Sequence, residues 1–457
     1  MIFSKKNLTI LSVILLILIT GITFVFKNND KDKKKEKLSE IKGEVIKVGK
    51  DNFVFRDDNE DVYTFNCSDN EISVGQMLLI EYLGVLNKKS SNDIVSYSVL
   101  NESNSIPKEW QDSGIFSDYY QLAYDYLKTL TLDEKIGQLL LVRVPENNQI
   151  DAIKKYNFGG YILFARDING KTKSQVVDMI KSYQDASKTP MLIATDEEGG
   201  TVVRVSSNTN LAESRFLSPQ DLYKKGGFDL IYNDTINKSK LLNGLGINVN
   251  LAPVADVSTN PTDYIYGRSF GQNTELTSKY VEKVIEASKG DAVSYTLKHF
   301  PGYSNNSDTH TGISTSDKSY EDIVKEDLPP FEAGIKKGAE AVLVSHNIVK
   351  NIDDGVPASL SKKVNNVLRN DLGFTGVVMT DDLDMQAVKD HSSKSAVVDA
   401  IKAGNDLLIV TDYEQSVKDI KSALDDQTLT NSDIEKAAFK VLAWKYYKLL
   451  FAGNHKS

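Results

Sequence analysis

Two of the chain's five histidines fall close together with a lysine and an aspartate, in Lys298-His299-Phe300-Pro301-Gly302 and Asp308-Thr309-His310. A carboxylate two residues before an imidazole can orient the ring, make it more basic and let it shuttle a proton. Acidic and basic residues recur along the same part of the chain, in Asp196-Glu197-Glu198-Gly199-Gly200, Asp256, Arg268, His346 and Asp381-Asp382. No histidine precedes His299, and only His310 and His346 could join it, so a catalytic metal cage is not expected. No other cofactor is expected either. What remains is carboxylate and imidazole chemistry. An aspartate nucleophile, an acid/base on a mobile loop, and Asp, Arg and Lys side chains holding hydroxyl groups suit the cleavage of a glycosidic bond.

These residues need a scaffold that brings them to one face. Beyond residue 115 short apolar runs alternate with helix-period segments: Leu139 to Val142, Gly160 to Phe164, Met191 to Ala194, Val249 to Val254, Ser294 to Leu297, Ala341 to Val344, Val377 to Met379 and Leu407 to Val410. Thr131 and Glu134 form a capping-box pattern before the first run, and Ser432-x-x-Glu435 offers another for the last helix. Eight such units predict an α/β fold, a (β/α)8 barrel of the TIM type over residues 116–457. A doubly wound open sheet is the alternative, but no glycine-rich phosphate loop follows the first run. In a barrel the loops after the strands open on one face, and the polar residues named above follow the runs. Strand alternation predicts that Asp381 and Asp382 face opposite ways.

The first part of the chain has a different character. Leu8 to Phe26 carries no charge and follows Lys5 and Lys6, so residues 1–27 read as a membrane anchor or signal, with an uncleaved anchor favoured. The expected location is the cell membrane, with the catalytic domain outside. Residues 28–40, rich in lysine and acids, read as a solvated linker. Residues 41–105 hold short β-type runs and predict a small all-β domain, a five-stranded barrel of the oligonucleotide/oligosaccharide-binding type. Asn101 to Ser113 reads as the way out of it. A net charge of -9 argues against a nucleic-acid partner. The single cysteine, Cys67, leaves no intrachain disulfide and reads as a buried thiol. The oligomeric state is open.

Asp196 to Gly200 with Arg204, Asn250-Leu251-Ala252-Pro253-Val254 leading to Gly267-Arg268-Ser269-Phe270-Gly271, Lys298 to Gly302, Asp308-Thr309-His310 and Val377 to Leu383, in this order, resemble glycoside hydrolase family 3. The resemblance is to its single-barrel β-N-acetylglucosaminidases and covers about residues 116–450. It implies that Asp381 is the nucleophile, that Asp308 and His310 are the acid/base dyad, and that Asp196, Arg268, Lys298 and His299 hold the sugar, with Arg204 in the same motif. The family often has His-Gly-Asp-Thr where this chain has Tyr303-Ser304-Asn305-Asn306. The glucosidase branch generally takes its acid/base from a second α/β domain, whereas this chain ends at Ser457 and carries Asp308-Thr309-His310. The expected activity is therefore removal of terminal β-N-acetylglucosamine from peptidoglycan-derived muropeptides. The alternatives are a phosphorylase or β-glucosidase of the same family, or a cell-wall-binding protein without turnover.

Overall fold

The computed structural model describes residues 38–57, 59–67, 72, 74–99, 106–303, 314–385, 388, 391–392 and 395–451. The run from Leu8 to Phe26 lies outside them, as do Asp308 and His310. Among the described residues no helix is long and apolar enough to cross a membrane. The chain divides into two compact units, residues 1–107 and 108–457.

The first unit is a sheet built from Leu38–Val48, Asn52–Asp57, Val62–Asn66, Met77–Leu83, Ser91–Asp93 and Ser96–Val99. Numbered along the chain, their spatial order is fifth, third, second, first, fourth, sixth. All pairs are antiparallel except the third with the fifth. Alternation sends Phe53, Phe55, Tyr63, Phe65, Leu78 and Ile80 to one buried face. Phe65 packs on Phe53 at 5.7 Å and edge-on against Phe55 at 5.6 Å, the offset geometry that aromatic rings prefer. Cys67 is half-buried against this cluster. Among the described residues the strands are six where five were expected, because Ser91–Asp93 and Ser96–Val99 pair at opposite ends of the order.

The second unit carries eight parallel strands: Leu140–Arg143, Gly160–Leu163, Leu192–Thr195, Val249–Asn250, Ser294–Phe300, Ala341–Val344, Val377–Thr380 and Leu408–Val410. They are called here the first to the eighth barrel strand. Their order in the sheet follows the chain, and the eighth pairs back onto the first, Leu408 opposite Leu140. The seam between the seventh and eighth is a bridge of Met379 to Leu407, with Thr380 N donating to Leu407 O at 3.1 Å. The result is a nearly closed parallel barrel. Its strands are buried almost throughout, as parallel strands covered by helices must be. The fourth strand pairs regularly only over Val249–Asn250, and the rest of its apolar run is held by single bonds, such as Leu251 N to Thr195 O at 2.9 Å, and by a bridge of Val254 to Lys298.

The helices start where polar caps precede apolar periodicity. Thr131 N donates to Glu134 Oε2 at 2.8 Å, and Glu134 N to Thr131 Oγ1 at 3.3 Å, which opens the helix Leu132–Gln138. Lys173–Ala186 buries Val176, Ile180 and Tyr183, one face at a spacing of three to four. The last helix, Asn431–Tyr447, is capped by Thr430 and Asp433, not by Ser432 and Glu435. Glu435 instead accepts from Lys135 Nζ at 2.5 Å. Trp110, in the stretch read as a way out of the small domain, is buried against Phe439 at 5.6 Å.

Candidate active site

A cavity of about 620 Å³ opens at the carboxyl ends of the barrel strands. Each described site residue expected from the sequence lines it: Asp196, Arg204, Arg268, Lys298, His299 and Asp381. The mutual positions of these groups follow from the strands that carry them. Asp196 comes directly after the third strand, Lys298 and His299 lie on the fifth, and Asp381 comes directly after the seventh. Regular alternation would turn only one of Lys298 and His299 inward. The ladder to the sixth strand skips between Leu297 and Phe300, and both side chains reach the cavity.

On the wall of the third to fifth strands the charges are paired tightly. Lys298 Nζ donates to Asp196 Oδ1 at 2.8 Å and reaches Glu198 Oε1 at 2.6 Å. Arg268 grips the same Glu198 with two bonds, Nε to Oε2 at 3.0 Å and Nη2 to Oε1 at 2.7 Å. Burial opposes the charge on Glu198, but Lys298 and Arg268 outweigh it and hold the carboxyl well below the usual range. Burial likewise opposes the charges on Lys298 and Arg268, and the carboxylates raise both above their ordinary values. Asp256 fixes His299: it accepts from the His299 backbone N at 3.0 Å, from the ring Nδ1 at 2.8 Å and from Tyr303 N at 2.7 Å. Arg268 has only donors, so its Nη2, 3.2 Å from His299 Nε2, requires that nitrogen to accept. The imidazole is therefore the Nδ1–H tautomer, a positioned polar group beside Arg268.

Asp381 stands across the cavity. Its backbone N donates to Val344 O at 3.0 Å, and its Oδ1 accepts from Asp382 N at 2.8 Å. Asp382 lines the cavity as well, contrary to the alternation expected of it, because the regular strand stops at Thr380. Its carboxylate accepts from Asp384 N at 3.0 Å and from Thr411 Oγ1 at 3.0 Å. Burial, with Asp384 and Asp381 nearby, pushes the Asp382 carboxyl up to about 6. His346 is buried under this loop, its Nε2 donating to Asp382 O at 2.9 Å and its Nδ1 2.7 Å from Ser359 Oγ. It supports the end of the seventh strand without lining the cavity.

Glu198 is the principal residue of the site that sequence reasoning did not single out. Two residues beyond Asp196, it falls on the same side by strand alternation, and that signal was available. Glu197 between them turns away, and its carboxylate accepts from Val205 N at 2.7 Å and Ser206 N at 3.2 Å, which pins the turn that carries Arg204. Arg143 and Phe164 also line the cavity, each at the end of its strand.

The model of the glycosyl hydrolase family 3 N-terminal domain matches residues 131–444. The chain belongs to this family. It is 30% identical over 327 residues to beta-hexosaminidase LpqI of Mycobacterium tuberculosis, covering 68% of this chain and 82% of that protein. It is 29% identical over 334 residues to beta-hexosaminidase A of Pseudoalteromonas piscicida, covering 66% of this chain and 55% of that one. Among solved structures it resembles a family 3 beta-N-acetylglucosaminidase from Paenibacillus sp. str. FPU-7, with a TM-score of 0.66 and 28% identity over 72% of this chain and 64% of that one. The chain thus spans little more than half of the Pseudoalteromonas relative and less than two thirds of the Paenibacillus enzyme.

Proposed function

We propose that this chain is a retaining β-N-acetylglucosaminidase that removes terminal β-linked N-acetylglucosamine. The observation that carries the reading is the facing of Asp381, at the end of the seventh strand, with the Asp196, Glu198, Arg268, Lys298 and His299 network on a family 3 barrel. The names of the relatives supply the sugar. Asp381 attacks the anomeric carbon while the bond to the leaving oxygen breaks, and His310 gives that oxygen its proton. Asp308 stabilises the imidazolium. His310 then takes a proton from water, the water oxygen attacks the anomeric carbon, and the bond to Asp381 breaks to release the sugar. Asp196, Arg204, Arg268, Lys298 and His299 hold the sugar hydroxyls, and the rigid Glu198 centre spares Lys298 and Arg268 from reorganising when sugar binds.

Muropeptides derived from peptidoglycan are the proposed source of that sugar, with the barrel held outside the cell membrane by residues 1–27. The small sheet, whose fifth and sixth strands are adjacent in the chain but pair at opposite ends of its order, supports an oligonucleotide/oligosaccharide-binding type of barrel there. The test compares an aryl β-N-acetylglucosaminide with the corresponding β-glucoside, with and without phosphate. Preferred turnover of the first to free N-acetylglucosamine supports the proposal. Faster glucoside turnover, or a sugar phosphate as main product, overturns it.

A further inference from the structure

Among the described residues four cations line the cavity: Arg143, Arg204, Arg268 and Lys298. Lys298 and Arg268 are committed to Asp196 and Glu198, and Arg204 Nε lies 3.8 Å from Asp196 Oδ2. Arg143 differs. Among the described residues it has no carboxylate within ion-pairing distance, and its Nε, like that of Arg204, is buried without a hydrogen bond. Asp167 feels its charge, but that carboxylate already accepts from Phe164 N at 2.7 Å and faces Arg166 at 3.5 Å. What holds Arg143 is an aromatic face, with its guanidinium carbon 4.4 Å from the centre of the Phe164 ring and that of Arg204 5.6 Å from the same centre.

Two guanidinium groups that share one ring repel each other. Half-burying two guanidinium groups without a full set of partners is costly unless something else brings negative charge. Asp381, Asp382 and Asp384 all follow the seventh strand, whereas Arg143 ends the first and Arg204 follows the third, so the cavity carries its acidic cluster and this pair of arginines on different strands. An anion is therefore drawn to the Arg143 and Arg204 side of the cavity and repelled by the three aspartates. Arg143 ends a buried strand, so its position is rigid, and a guanidinium fork matches the oxygens of a carboxylate or a phosphate ester.

We propose that Arg143, together with Arg204, binds an anionic group carried by the substrate, which makes this an enzyme for acidic glycosides. The inference rests on the glycosidase reading above and extends it to the charge of the substrate. The group is borne either by the N-acetylglucosamine itself or by the residue to which it is linked.

The full chain, Arg143→Leu and Arg143→Lys are to be assayed on three aryl β-N-acetylglucosaminides: a neutral one, one phosphorylated on the sugar, and one with a carboxylate on the leaving group. The expected result is that the ratio of kcat/KM for one anionic substrate to that for the neutral one falls at least tenfold in Arg143→Leu and is largely retained in Arg143→Lys. The substrate that responds identifies where the charge resides. Ratios that do not change for either anionic substrate overturn the proposal while leaving the glycosidase reading intact. If no substrate is turned over, that reading fails, and calorimetric binding of N-acetylglucosamine 6-phosphate against N-acetylglucosamine still decides. A preference for the phosphorylated sugar that Arg143→Leu removes sustains the anion site, and equal binding of the two sugars ends it. Melting curves of both variants establish that they fold.

Discussion

Glu198 holds two cations with one carboxylate and is almost sealed from solvent, so its removal has a consequence that no surface ion pair would have. Glu198→Gln leaves Lys298 with Asp196 as its one carboxylate partner among the described residues, and leaves Arg268 with none. Breaking a buried pair in this way costs about 3 kcal/mol or more. We expect a clear fall in Tm and a drop in kcat/KM of roughly a hundredfold or more, since Lys298 and Arg268 lose their fixed positions in the cavity wall. Wild-type melting and kinetics in the variant would contradict the role assigned to this residue. Asp382 offers a test of opposite sign. Its carboxyl is raised to about 6 in the folded chain, against roughly 3.9 when unfolded, so between these values the folded state binds more protons. Its contribution to stability is therefore lost as pH rises. Relative to Asp382→Asn, the wild type should lose on the order of 1–2 kcal/mol between pH 4 and pH 7. Chemical denaturation at the two pH values reads this directly, and a flat difference or a gain would refute it.

At the scale of elements, the eight apolar runs were legible because a buried parallel strand needs an unbroken row of apolar side chains, and little else in the chain has one. Their ends were harder to place. Val249 to Val254 reads as one strand, yet regular pairing covers only Val249–Asn250 and returns as a single bridge at Val254. The alternation rule failed for Asp382 and for the Lys298-His299 pair for the same reason: each lies where regular pairing stops or skips. The cap of the final helix was ambiguous because Thr430-x-x-Asp433 and Ser432-x-x-Glu435 overlap and both fit the pattern. Only the first leaves Glu435 free to meet Lys135. The capping box at Thr131 was unambiguous. Thr131→Ala should cost about 1 kcal/mol of stability and leave kcat/KM unchanged, because the helix it opens contributes no side chain to the cavity. Altered kinetics at full folding would show a link between that helix and the site.

For the molecule as a whole, the division at residue 107 separates a small sheet from a barrel that holds every described residue of the candidate site. Removing residues 1–37, which stops short of the first strand at Leu38, should therefore yield a soluble protein with the kcat/KM of the full chain. A folded but inactive product would give the N-terminal segment a part in catalysis. The central claim is that Asp381 forms a covalent bond to the sugar and His310 moves the protons, although Asp308 and His310 lie outside the described residues. His310→Ala should still form the intermediate from an aryl glycoside with a good leaving group, which departs unprotonated, but should hydrolyse it slowly because water is no longer deprotonated. The decisive measurement is peptide mass spectrometry of His310→Ala quenched during turnover of such a substrate. The account predicts N-acetylglucosamine esterified to Asp381; sugar on Asp382, or no adduct while product accumulates, would contradict it.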